Sequence, residues 1–219
     1  MPYTPPLKAP PGERIQLLDA LRGLSILLVV AYHFGYDLVV AGILPYEILA
    51  NPVLAFFQPF FAGLFILLAG VSSQLSKNNL KRALVLTAAA LLVTAASLFA
   101  GSLITFGILH LLTACVLLYA LLEKLRLTLP AVLLAGFLLS YFEITRFPVV
   151  ASADYFPIVP WGFLFFFGVF LGVPIKQGKF PDWFYSLSIP VFPWIGRRTL
   201  LIYLLHQPVL LGVVWAVTR

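Results

Sequence analysis

Charge is scarce in this chain of 219 residues: Asp, Glu, Lys and Arg make up 10% of it, against 62% hydrophobic residues and a mean hydropathy of +1.03. A soluble domain carries about 25% charged residues, because polar groups must cover its surface. Here the apolar surplus has to face lipid. Cysteine is almost absent too. Cys115 stands alone inside an apolar run, which excludes a disulfide framework and a cysteine metal site. His33, His110 and His206 are the only histidines. They are too scattered for a local metal motif, and no metal is expected, although the three can still meet in space. No lysine falls within an apolar stretch, which removes a retinal-type Schiff base. Acidic residues number 8 against 14 basic ones, a net charge of +6. In a membrane protein that surplus first reflects basic residues gathered in cytoplasmic loops, so no nucleic-acid partner is expected.

Pro2, Pro5, Pro6, Pro10 and Pro11 mark residues 1–14 as a stiff cytoplasmic tail ahead of a single transmembrane domain, 15–219. The apolar run after the tail is too long for a signal h-region and ends in no small-residue cleavage site, so no cleavable signal is expected. A bilayer core needs about 20 apolar residues per helix. Stretches of that kind, bounded by charge or by Pro and Gly, run over 19–40, 53–75, 83–99, 102–122, 130–145, 158–174 and 199–217. The expected fold is therefore all-α, a polytopic bundle of about seven transmembrane helices. Alternating the spans leaves twelve basic residues on the side of the N-terminus and only Arg146 and Arg219 on the other. The N-terminus is then cytoplasmic and the C-terminus outside. Tyr141, Tyr155, Trp161 and Trp215 fall at the outer ends, as interfacial aromatics do. The largest cytoplasmic loop, 175–198, carries Trp183, Phe184 and Tyr185, which either lie flat on the membrane or help cover a site.

Ionisable side chains inside spans are costly, and so are candidate functional groups. The first helix is the richest, with Asp19, Arg22, His33 and Asp37. Arg22 and His33 are about three turns apart, so they share a face about 16 Å apart along the axis. Asp37 lies four residues past His33, one turn further on that face. A carboxylate there can hold one imidazole nitrogen and raise the basicity of the ring, as a general base requires. The same pair also serves as a plain interhelical contact. His110, about eight residues down from the outer end of the fourth span, comes to a depth similar to that of His33. His206 and Tyr203 lie in the last span, where Pro208 frees a carbonyl near Leu204 that His206 or Gln207 can compensate. Ser72 closes a small-residue stretch, Leu68-Ala69-Gly70-Val71-Ser72, suited to helix packing or to a site wall. Arg22 and Arg198, the basic residues nearest the spans, stand out as phosphate contacts.

Several blocks resemble one family. Arg14-x4-Asp19-Ala20-Leu21-Arg22-Gly23, followed by His33-Phe34-Gly35-Tyr36-Asp37-Leu38, is similar to the opening of the transmembrane acyltransferases. With Leu68–Ser72, Phe106-Gly107-Ile108-Leu109-His110, Phe156–Gly162, Gly168-x3-Gly172 and Ile195–Pro208, the chain resembles the heparan-alpha-glucosaminide N-acetyltransferase catalytic-domain family over nearly its whole length. The resemblance implies transfer of an acyl group, acetyl in the first instance, from cytoplasmic acyl-coenzyme A to a sugar acceptor across the membrane. It places His33 as the key histidine, Arg22 toward the coenzyme A phosphates and His110 as a second candidate near the acceptor. By its expected spans the chain has fewer helices than the lysosomal members, and no extra luminal domain is expected. A glycan or glycolipid of a prokaryotic cell envelope is then the expected acceptor, with the cytoplasmic membrane as location and a homodimer compatible with either.

Expected site residues are accordingly His33, Asp37 and His110 for catalysis, Arg22, Arg198 and Ser72 for acetyl-coenzyme A, and His206 and Tyr203 beside them. The rival is a small proton-coupled transporter or flippase that uses the same His and Asp residues as a relay. Such proteins often show internal repeats and helices broken at matching positions, and the sequence has neither.

Overall fold

The computed structural model describes residues 14–101, 103–123, 138, 154–187 and 189–219. The chain folds as α1 (Gln16–Val40), a 3-10 turn (Tyr46–Ile48), α2 (Pro52–Leu75), α3 (Asn79–Phe99), α4 (Ile108–Leu122), α5 (Ile158–Lys176), α6 (Asp182–Ser186), α7 (Phe192–Gly196) and α8 (Thr199–Val217). Among the described residues it is all-helical, with one isolated bridge between Phe106 and Tyr155. Five helices, α1, α2, α3, α5 and α8, are long and apolar enough to cross a membrane, and α4 is a shorter apolar helix. Their large apolar side chains, Phe56, Phe60, Leu84, Leu91, Leu201, Val209 and Trp215 among them, are exposed along the helices, as lipid-facing residues must be. Apart from residue 138, the expected span 130–145 lies outside the described residues, with Tyr141, Lys124, Arg126 and Arg146; so does the tail through residue 13.

Five of the expected apolar runs fall where the sequence puts them, and element ends differ for local reasons. Helix α3 begins at Asn79 rather than at 83, because the Asn78 side chain caps it by accepting from the Lys81 amide at 2.9 Å. Lys81 and Arg82 therefore belong to its first turn. The fourth apolar helix begins at Ile108 rather than at 102. Gly101, at φ +70°, follows the end of α3, and the Phe156 amide donates to the Phe106 carbonyl at 2.9 Å. The Ile108 amide then donates to the Asp154 carboxylate at 3.3 Å, a negative charge where a helix N-terminus favours one. The expected loop 175–198 contains two five-residue helices, α6 and α7. Within it Phe184 is buried while Trp183 is exposed.

The chain divides into two compact units, Met1–Phe65 with Gly178–Arg219, and Ile66–Gln177, with α2 running from one into the other. In the first unit α1 packs against α6, α7 and α8. The approach of α7 is close because glycine stands on both sides: a methyl at Gly23 would strike the Phe192 carbonyl, and one at Gly196 the Asp19 carbonyl. In the second unit α4 packs against α3 and α5. Another glycine pair lets α2 and α5 touch, Gly70 against the Phe165 carbonyl and Gly168 against the Leu67 carbonyl. Ile66, Leu111, Val116, Phe165 and Val169 form the tightest part of this unit's core.

Candidate active site

The first unit gathers polar side chains from the two ends of the chain. His33, near the C-terminal end of α1, meets His206 of α8 with ring centroids 5.1 Å apart and planes inclined by 62°. One turn further along α1, Asp37 is buried at 7% exposure. Its two oxygens accept from the Gln207 side-chain nitrogen at 3.1 and 2.9 Å. Asp37 is expected to hold His33; its described hydrogen bonds go to Gln207 instead. The carboxylate is engaged across the helix interface by Gln207, because α8 brings an amide to it, and its own helix neighbour points to another imidazole. Tyr32 and Tyr203 flank the pair, with ring centroids 6.0 Å from His33 and 5.3 Å from His206.

Hydrogen bonding sets the tautomer of His206. Its Nδ1 lies 2.5 Å from the Tyr203 carbonyl. A carbonyl only accepts, so Nδ1 carries the hydrogen, and in the neutral ring Nε2 keeps the lone pair. The contact is to Tyr203 and not to Leu204, whose carbonyl is the one that Pro208 leaves without its helical N–H. Tyr203 therefore enters through its backbone as well as its ring. No described hydrogen bond ends on the His33 ring.

His110, in the second unit, has a different setting. With α4 beginning at Ile108 it is the third helical residue, not eight residues into a span. Its Nδ1 accepts from the Gly107 amide at 3.2 Å, and its Nε2 lies 2.9 Å from the Thr94 hydroxyl. An N–H donor at Nδ1 leaves the hydrogen of a neutral ring on Nε2, which donates to Thr94. Thr94 passes its own hydrogen to the Ile104 carbonyl at 3.0 Å. Ser97 completes the network by accepting from the Ile104 amide and donating to the Thr94 carbonyl. Both nitrogens of His110 are thereby used in joining α3 to the start of α4.

At the other end of α1, Arg22 donates to Asp19 at 2.6 Å, with Asp19 buried. Arg198, two residues past α7, lies over the Trp194 ring at 4.1 Å and donates to the Trp194 carbonyl at 3.2 Å. Gly23 and Gly196 mark the crossing of α1 and α7, with Arg22 next to the first in sequence and Arg198 two residues past the second. Ser72, in the second unit, donates to the Leu68 carbonyl of its own helix. Its neighbour Ser73 accepts from Arg82 at 2.9 Å, and the Arg82 guanidinium also reaches the Ala69 carbonyl at 3.3 Å.

Sequence reasoning names His33, Asp37 and His206 singly, without the arrangement seen here, and gives Gln207 only a repair role beside Pro208. A glutamine inside an apolar span was the available signal, since a polar side chain there needs a partner. Thr94, which bonds His110, and Asp154, which accepts from the Ile108 amide, carry no comparable mark.

No curated protein and no solved structure matches the chain. The family model described as heparan-alpha-glucosaminide N-acetyltransferase, catalytic, matches residues 14–208. That interval takes in all five long apolar helices in whole or in part, and every candidate site residue. The chain therefore belongs to the heparan-alpha-glucosaminide N-acetyltransferase catalytic family, as a membrane-embedded transferase of the acetyltransferase kind.

Proposed function

We propose that this protein moves an acetyl group from cytoplasmic acetyl-coenzyme A to an amine or hydroxyl of a sugar, on an envelope glycan or glycolipid at the far side of a prokaryotic cytoplasmic membrane. The observation that carries the reading is the His33–His206 pair, two imidazoles 5.1 Å apart on spanning helices with Asp37 one turn away. Titratable groups within a membrane are retained where they act. The topology proposed with it has seven spans, the N-terminus inside and the C-terminus outside. This follows from the basic residues of the sequence and puts Arg22 and Arg198 on the coenzyme side.

In this mechanism the coenzyme A phosphates dock on Arg198 and Arg22, and the pantetheine arm reaches about 16 Å along α1, eleven residues at 1.5 Å each, to His33. The acceptor attacks the thioester carbonyl carbon while an imidazole of the pair takes its proton. The new C–N or C–O bond forms, the C–S bond breaks, and the departing thiolate receives the proton to give free coenzyme A. General base catalysis of this kind contributes about 10²–10⁴-fold. His110, with both nitrogens engaged, is assigned a structural role, and Ser72 stays a wall residue. The transporter alternative draws no support from a transferase family.

The test is incubation of purified protein with radiolabelled acetyl-coenzyme A and a panel of envelope glycans. Label should pass to a particular acceptor with wild type. His33→Ala should lower transfer at least about a hundredfold while still being thermally stabilised by coenzyme A. Full transfer by the variant would remove His33 from the chemistry.

A further inference from the structure

We infer that Gln207 is a positioning residue for the two histidines, setting where His206 stands against His33 through its grip on Asp37. The inference rests on the acyltransferase reading of the same site.

The geometry is demanding. His206 and Gln207 are consecutive on α8, so their side chains leave the helix about 100° apart, given 3.6 residues per turn. Both nevertheless engage α1, at His33 and Asp37, which lie four residues apart on one face. Only one rotation and one axial register of α8 satisfy both contacts together. A slip of one residue along α8 would turn the His206 ring about 100° away from His33. The His33–His206 contact is an edge-to-face meeting of rings, which by itself holds register weakly. The Tyr203 carbonyl fixes which nitrogen of His206 bears the hydrogen, but that bond lies within α8 and says nothing of where α8 sits. A directional contact from this part of α8 to α1 is the Gln207 amide on both oxygens of Asp37, at 3.1 and 2.9 Å. It carries further weight because Asp37 is buried, and a buried carboxylate needs its hydrogen bonds. Asp37 on this view acts toward the reaction through Gln207 and α8, rather than by a bond to the neighbouring imidazole on α1.

The proposal is tested with Gln207→Leu, which keeps the bulk and removes the amide, and with steady-state kinetics at saturating acceptor. The kcat per folded molecule should fall about 10–100-fold, as expected for reacting groups displaced by about 1 Å, with KM for acetyl-coenzyme A changed less than about twofold, since the arginine sites lie at the other end of α1. A second readout is the nitrogen spectrum of ¹⁵N-histidine-labelled protein, with His206 assigned by its loss in His206→Asn. Wild type should show one protonated and one bare nitrogen, and Gln207→Leu an altered His206 pattern. If Gln207 merely ties helices together, thermal stability falls while kcat per folded molecule and the His206 signals stay as in wild type; that result overturns the inference. Should the leucine variant not fold, Gln207→Asn keeps the amide but is one methylene too short to reach Asp37, and wild-type kcat there overturns it equally. Wild-type protein that transfers no acetyl group to any acceptor defeats the acyltransferase reading instead, and the His206 signals still decide the role of Gln207.

Discussion

His110→Ala separates the two kinds of histidine in this protein. Removing the ring takes the acceptor from the Gly107 amide and the donor from the Thr94 hydroxyl. Gly107 is buried, so its N–H is left without a partner away from water, at about 1–3 kcal/mol. Thr94 keeps its bond to the Ile104 carbonyl and loses about one ordinary hydrogen bond, near 1 kcal/mol. The sum is about 2–4 kcal/mol, which for a chain of this length lowers the thermal midpoint by roughly 5–15 °C. His110→Gln should recover about half of that. Gly107 and His110 occupy the N-cap and third positions of α4, and a glutamine at the third position reaches back to the N-cap amide as His110 does. Thermal unfolding in detergent, read beside acetyl transfer per folded molecule, gives both quantities. The reasoning predicts lost stability with activity within about threefold of wild type, far from the 10²-fold or greater loss expected of a general base. An alanine variant of unchanged stability that no longer transfers acetyl groups would refute it and put His110 in the chemistry.

Glycine substitutions should divide by what a side chain would meet. Gly168→Val drives a branched side chain into the Leu67 carbonyl and should force α2 and α5 apart, with little folded protein recovered on size exclusion. Gly35→Ala, two residues from His33, meets nothing within 4 Å and lies within α1, so it should raise stability by up to about 1 kcal/mol through helix propensity, measured as a small rise in thermal midpoint. Arg198→Ala should raise KM for acetyl-coenzyme A several-fold and weaken thermal stabilisation by coenzyme A while leaving kcat nearly unchanged. An unaltered coenzyme A shift would take Arg198 out of the binding site.

The spanning helices were legible because each needs a long apolar run, and the runs at 19–40, 53–75, 83–99, 158–174 and 199–217 all lie within observed helices. The ends depended on single side chains that periodicity does not weigh. Asn78 starts α3 a turn early, and Asp154, distant in sequence, helps to hold the start of α4 at Ile108. The short helices α6 and α7 carry no apolar period at all. Helix α7 is recognisable only through Gly23 and Gly196, which matter as a pair once the backbones meet. Within the site, the helical repeat put His33 and Asp37 on one face, since that is local geometry. It could not bring in His206, because a contact between residues 33 and 206 depends on how α8 packs against α1.

What singles out the His33–His206 pair is subtraction. Inside a membrane a polar group must find its partner within the protein, and most here do so in plain structural ways. Ser25, Ser72, Ser73 and Thr87 donate to carbonyls one turn back. Thr94, Ser97 and His110 close a network around the start of α4, and Asp37 is held by Gln207. Two buried atoms among the described residues lack a partner, Asn79 Oδ1 and Thr113 Oγ1, but neither an amide oxygen nor an alcohol titrates near neutral pH. The imidazoles of His33 and His206 are, by contrast, side chains that can take up and release a proton. One carries no described hydrogen bond, and the other spends only Nδ1 on its own helix. A protein that used these two rings only to join α1 to α8 would gain more by pairing them to carbonyls or hydroxyls, as it does with His110. Among the described residues the His33 ring and Nε2 of His206 are instead left to each other's vicinity, and that capacity to take and return a proton is the physical basis for proposing acyl transfer there.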